Sequence, residues 1–132
     1  MASGRLARDG QSLRYEPIRA LSREDALRAL TAGGTEAVNA IYSVALHDQD
    51  DTFAEETCLN ALDSGDERLR IAAIGAIGEM TVFANRKIDF ERAESRLLEL
   101  RSAHPEISGR IEDALDDFAF SKARPRKESE QV

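Results

Sequence analysis

A recurrence of apolar positions every thirty-odd residues constrains this chain more than any other feature. Leu59 and Leu62 return as Leu97 and Leu100, an offset of 38 residues. Leu69, Ala73, Ala76, Ile77 and Met80 return at the same offset as Ile107, Ile111, Ala114, Leu115 and Phe118. An earlier copy stands 31 or 32 residues upstream, as Leu27 and Leu30, then Val38, Ile41, Tyr42, Ala45 and Leu46. The one-residue change falls in the turn inside the unit, where chain length matters least. Positions such as 69, 73, 76, 77 and 80 lie on one face of a helix. Each unit therefore reads as a helix, a short polar turn and a second helix. One such pair cannot bury its apolar face alone, so neighbours must stack. The expectation is an all-α chain, an α-solenoid of about three helical hairpins over residues 21–120, rather than an irregular bundle.

Local signals bound the helices. Ser22, with Asp25 three residues on, opens the first unit, and Thr35 is expected to cap its second helix. The second unit begins near Asp51, and Asp66 caps its second helix after Ser64-Gly65. The third begins near Asp89, and Pro105 suits the first turn of its second helix. Alanine and leucine supply most of the apolar side chains, which favours helix. Gly75 and Gly78 sit inside a predicted helix, where each costs about 1 kcal/mol against alanine. Together with Ala72, Ala73 and Ala76 they are expected to admit neighbouring helices closely. Cys58 and Tyr42 read as core, and Phe53, Phe83 and Phe90 as core or capping residues at unit junctions. Residues 1–20 read as a flexible or partly docked N-terminal arm, with Leu13 and Tyr15 as its docking residues. Residues 121–132, without apolar periodicity, read as a disordered tail.

Charge narrows the function. The net charge of −7 is unevenly spread: +2 over residues 1–30, −11 over 31–120 and +2 over 121–132. An acidic body repels nucleic-acid backbones and attracts cationic protein surfaces. One cysteine and two separated histidines make neither an internal disulfide nor a zinc site, and a reducing cytoplasmic setting follows. No apolar run reaches a membrane span, and the N-terminus lacks the apolar stretch of a secretory signal. His47 and His104 lie far from any nucleophile spacing, and AIGAIGEM lies within a helix rather than after a strand. No metal, cofactor or catalytic residue is expected, and the chain reads as a binding protein rather than an enzyme. Its oligomeric state is open.

Two acidic groups are the candidates for partner binding. The first is Asp48, Asp50, Asp51, Glu55 and Glu56, in the segment HDQDDTFAEE. It fails as a calcium loop, having no glycine at the sixth position and Leu59 at the twelfth. It is either a solvated turn with favourable helix N-terminal charge or the rim for a basic partner. The second is Glu112, Asp113, Asp116 and Asp117, in IEDALDDF. Asp113 shares a helix face with Asp116 and Asp117, and the like charges lie toward a C-terminus that the helix dipole makes unfavourable. These acids either line a concave binding surface or form a polar cap on the last unit.

The second unit resembles a HEAT repeat, on Asp66, Leu69, Arg70, Ala72, Ala73 and Ile77-Gly78. The resemblance implies that Asp66 caps the second helix and that Arg70 ties neighbouring units through turn carboxylates or carbonyls. The first and third units lack both residues at matching positions. Residues 22–120 also resemble small bacterial HEAT-like proteins, some of which look like immunity proteins of contact-dependent inhibition and related polymorphic toxin systems. That implies a protein partner, a cognate toxin domain such as a cationic nuclease, covered by an acidic surface. A general HEAT-repeat scaffold or adaptor is the alternative. A bilin-lyase-like enzyme is the third reading, and it would need a chromophore pocket.

Overall fold

The computed structural model describes residues 18–124, and over that range the protein is all-α. The helices are α1 (Arg23–Ala32), α2 (Gly34–His47), α3 (Asp51–Ala61), α4 (Glu67–Val82), α5 (Phe90–Ala103) and α6 (Ser108–Ala123). A 3₁₀ turn, Pro105–Ile107, leads into α6. No strand occurs among the described residues.

Most helices start where short polar side chains supply the missing acceptor. Ser22 Oγ accepts the Asp25 N–H at 3.0 Å. Asp50 accepts from Phe53 at 3.1 Å, Asp66 from Arg68 at 2.9 Å and Asp89 from Arg92 at 3.1 Å. Each cap stabilises its helix by about 1 kcal/mol. Thr35 does not cap α2. Gly33 (φ 80°) and Gly34 (φ 63°) reverse the chain in a conformation that glycine adopts without strain, and α2 starts at Gly34. Thr35 Oγ1 instead accepts from Arg68 Nη2 at 3.1 Å.

The second helices of the three hairpins, α2, α4 and α6, lie side by side in chain order. The first helices, α1, α3 and α5, each pack on their own hairpin partner, and α3 also meets α2. The core runs between these layers through Ile41, Leu59, Leu62, Ile77, Met80, Leu97, Ile111 and Phe118, all fully buried. Each side chain of this size contributes about 2 kcal/mol relative to exposure. Phe90 meets Phe118 edge to face at 5.3 Å. Cys58 is fully buried, and burial pushes its thiol up to about 12.

The two glycines of α4 make room in different ways. A Cβ at Gly78 would stand 2.5 Å from Asp117 Oδ2 and 3.5 Å from the Cα of Ala114, so this glycine lets α6 approach. A Cβ at Gly75 would stand 2.4 Å from the Tyr42 hydroxyl, which crosses from α2. Tyr42 is half-buried with its oxygen over that gap, and burial is the main cause that raises its pKa.

Arginines tie each hairpin to the one before. Arg86, in the α4–α5 connection and 9% exposed, donates to the Ala45 carbonyl at 2.7 Å, the Val44 carbonyl at 3.3 Å and the Asp48 carbonyl. It also pairs with Asp51 at 2.6 Å. Arg124 does the equivalent at the end of α4, donating to the Val82 carbonyl at 2.8 Å. Arg96 reaches back to the Leu59 carbonyl at 3.0 Å and to Asp63 at 2.8 Å. The Ala45 and Val82 carbonyls lie in the last turns of α2 and α4, where helix C-termini leave acceptors open, while the Val44 and Leu59 carbonyls also accept the Asp48 and Leu62 N–H groups.

Several expectations are revised by these packing details. Phe83 is 74% exposed and so not core; it is the C-cap of α4, its N–H donating to the Glu79 carbonyl at 2.8 Å. Leu27 of α1 is also exposed, at 46%. Helix α6 runs to Ala123, so residues 121–123 belong to it. At the other end the Leu21 N–H donates to Ser43 Oγ at 2.9 Å, and His47 Nε2 lies 2.9 Å from the Ile18 carbonyl oxygen. Leu13 and Tyr15 lie outside the described residues.

Candidate functional site

The acids of the α2–α3 corner are engaged within the fold. Asp48 accepts two hydrogen bonds from Arg23, at 2.9 and 3.3 Å, and one from the Asp50 N–H at 2.9 Å. Its side chain is only 11% exposed. The Arg23 hydrogen bond holds its carboxyl below the usual carboxylate range, against the opposing effect of burial. Arg23 also stacks 3.9 Å over the Phe53 ring and lies 3.7 Å from Asp50. Asp51 pairs with Arg86. Arg92 pairs with Glu56 at 2.8 Å and with Glu55 at 3.6 Å, and Glu55 also accepts the Asp89 N–H at 3.3 Å. The hydrogen bond from Arg92 depresses Glu56. Five carboxylates that stand together in sequence therefore face three arginines brought to them by folding.

The acids of α6 divide. Glu112 pairs with Arg101 of α5. Asp113, Asp116 and Asp117 have no ion-pair partner among the described residues. Glu79 of α4 joins them. Burial and then the charge of Asp117 push its carboxyl above the usual range. Asp117 is raised in turn by burial, then by Asp113 and Asp116. Glu79, Asp113 and Asp117, but not Asp116, border a groove of about 180 Å³ between α2, α4 and α6, which Tyr42, Gly75 and Arg110 also line. Three carboxylates against Arg110 leave the groove net negative in a partly desolvated place, which favours a cation there.

Glu79 was not among the sequence candidates. The repeat offset was the signal that could have found it, since Glu79 precedes Asp117 by the same 38 residues that relate Met80 to Phe118. Arg86 and Arg124 stand at that offset too. Asp66 caps α4 as the HEAT resemblance implied. Arg70 differs from that implication: Nη1 donates to the Ser64 carbonyl at 2.9 Å, inside its own hairpin. Ties between hairpins fall instead to Arg86, Arg96 and Arg124.

Among the described residues no three His, Cys, Asp or Glu side chains are grouped to hold a metal ion. No described helix is long and apolar enough to cross a membrane.

No protein-family model matches the chain, and no curated protein matches it. Among solved structures, a chain in the crystal structure of a CDI complex from Cupriavidus taiwanensis LMG 19424 is similar in fold. The two share 24% sequence identity at a TM-score of 0.68, over 83% of this chain and 97% of that one. The likeness carries the fold, a single helical architecture spanning nearly the whole of the other chain.

Proposed function

We propose that the protein is an immunity protein of the contact-dependent inhibition kind. In this reading it is an α-solenoid of HEAT-like hairpins that binds and neutralises a cognate bacterial toxin domain in the cytoplasm, without catalysing a reaction. The observation that carries the binding part is the set of carboxylates on the α4–α6 face. Glu79, Asp113, Asp116 and Asp117 keep like charges close together, with no ion-pair partner among the described residues. Each like-charge pair disfavours the helix by a few tenths of a kcal/mol. A cationic partner would turn that cost into attraction. The toxin assignment is supported by the shared fold with a chain from a CDI complex.

The mechanism is occlusion guided by charge. Long-range attraction raises the encounter rate with a basic toxin domain, and close packing then slows release. The residues 48–56 contribute little to this, because Arg23, Arg86 and Arg92 already offset their charge.

The test is co-expression with the product of the gene directly upstream. Protection of the host from that product, and a stable complex of the two purified proteins, are the expected results. Charge reversal at Asp113, Asp116 and Asp117 should slow association about tenfold at low salt and flatten its salt dependence. A harmless, non-binding upstream product would favour the adaptor reading. An unchanged association rate in the reversal variant would remove the acidic face from the mechanism.

A further inference from the structure

Phe83 and Phe120 are the most exposed large apolar side chains among the described residues, at 74% and 60%. Both stand at the C-terminal ends of adjacent helices, α4 and α6. Arg124 links the place. It donates to the Val82 carbonyl, and its guanidinium carbon lies 5.2 Å from the Phe120 ring centroid. Phe83 follows Glu79 by four residues, and Phe120 follows Asp116 by four and Asp117 by three. Each phenyl therefore lies one turn beyond a carboxylate on the same helix face. The two turns are level, because Asp117 sits over Gly78, the residue before Glu79.

The result is an aromatic shelf with an acidic border. Aromatic and arginine side chains are the types enriched at the centres of protein interfaces. Glu79, Asp116 and Asp117 have no ion-pair partner among the described residues, Arg124 being engaged by the Val82 carbonyl and the Phe120 ring, so a cation from the complement can reach them. A cover of apolar side chains alone would leave these carboxylates desolvated and unpaired, which is costly. A purely polar cation would leave the phenyls wet.

We propose that the Phe83–Phe120 shelf, bordered by Glu79, Asp116 and Asp117, docks a cationic amphipathic helix of a protein partner. The apolar stripe of that helix would cover the two rings, and its lysines or arginines would reach the carboxylates. This deepens the protein-binding reading above and rests on it.

The experiment titrates the full chain with a synthetic leucine–lysine helix of about 18 residues, apolar on one face, and follows backbone amide shifts. The largest shifts are expected at residues 79–83 and 116–124. Phe83→Ser with Phe120→Ser should weaken binding about tenfold. Both rings are exposed, so circular dichroism and Tm should stay close to wild type. Asp116→Asn with Asp117→Asn keeps the rings and should weaken binding about threefold, as should a rise from about 0.05 to 0.3 M salt. An all-lysine peptide of equal charge should bind about tenfold more weakly than the amphipathic one.

Shifts that map elsewhere, a double-Ser variant that binds normally, or equal binding of the all-lysine peptide would each overturn the proposal. Self-association that disappears in the double-Ser variant would assign the shelf to a second copy. Shifts at Phe83 and Phe120 on removing residues 125–132 would assign it to the chain's own end. Either outcome also overturns it. Protection from a toxin that persists in the double-Ser variant would remove the shelf and leave the immunity reading standing. A mapped peptide site in a chain that binds no toxin would do the reverse.

Discussion

Arg86 Nε donates to the carbonyl oxygen of Ala45 at 2.7 Å, across 41 residues of chain and a hairpin boundary. The same guanidinium takes the Val44 and Asp48 carbonyls and the Asp51 carboxylate. One cation thus closes the end of α2 and holds the second hairpin on the first.

Arg86→Ala should destabilise the protein by about 3 kcal/mol, because it takes the arginine donor from the buried Ala45 carbonyl and the partner from Asp51. Arg86→Lys should recover less than half of that, since one ammonium cannot span the same acceptors. Asp51→Asn should cost under about 1 kcal/mol, because the Asp51 side chain is 48% exposed. Urea denaturation measures all three. An Arg86→Ala loss below that of Asp51→Asn would show that the arginine is not the tie.

Gly75 and Tyr42 should be energetically coupled. Alanine at 75 gains about 1 kcal/mol of helix propensity but displaces the Tyr42 hydroxyl, 2.4 Å from the new Cβ. Removing the hydroxyl leaves the ring carbon at 3.6 Å, an ordinary contact. Gly75→Ala should therefore be near neutral alone and stabilising by about 1 kcal/mol in a Tyr42→Phe background. Additive effects across that double-mutant cycle would contradict the contact.

Stability should rise as pH first falls below neutrality. Glu79 and Asp117 are harder to ionise in the folded protein than in the unfolded chain, so the folded state binds more protons between their ordinary and raised values. Asp48 and Glu56 act in the opposite sense. Arg23 and Arg92 depress them, and their stabilisation is lost only as pH falls through those lowered values. The expected profile has its maximum on the mildly acid side, and Asp117→Asn should flatten the rise toward it. Urea midpoints from neutral to acid pH are the measurement. A steady wild-type decline from neutral pH, or an unaltered rise in the variant, would contradict the assignment.

The two acidic groups should separate by mutation. Asp48→Ala removes the acceptor of Arg23 and of the Asp50 N–H, and should cost about 1–2 kcal/mol. Asp116→Ala should change stability by less than about 0.5 kcal/mol, or raise it slightly, by relieving repulsion from Asp113 at an unfavourable helix end. Thermal or urea unfolding of the two variants side by side decides this. Equal losses would mean that the α6 acids are as engaged in the fold as those of the α2–α3 corner.

Much of the fold was legible because its signals are local or periodic. Caps such as Ser22, Asp66 and Asp89 act within three residues, and the recurring apolar positions name the buried faces of the second helices directly. Thr35 failed as a cap because two glycines turned the chain first. That is backbone freedom, which side-chain pattern does not reveal.

The candidate site was legible only as a supply of acids. Nine carboxylates read alike in one dimension, because which of them remain exposed depends on where arginines land. Arg23 reaches Asp48 across 25 residues and Arg86 reaches Asp51 across 35, while Asp116 meets no arginine among the described residues. The exposure of Phe83 belongs to the same class of fact, since it depends on what the fold brings over the end of α4. The sequence by itself determined the helices, their caps and the recurring apolar seam, through interactions a few residues long. Tertiary structure alone decided which charges were neutralised and which rings stayed wet, because both depend on flexible side chains meeting across hairpins.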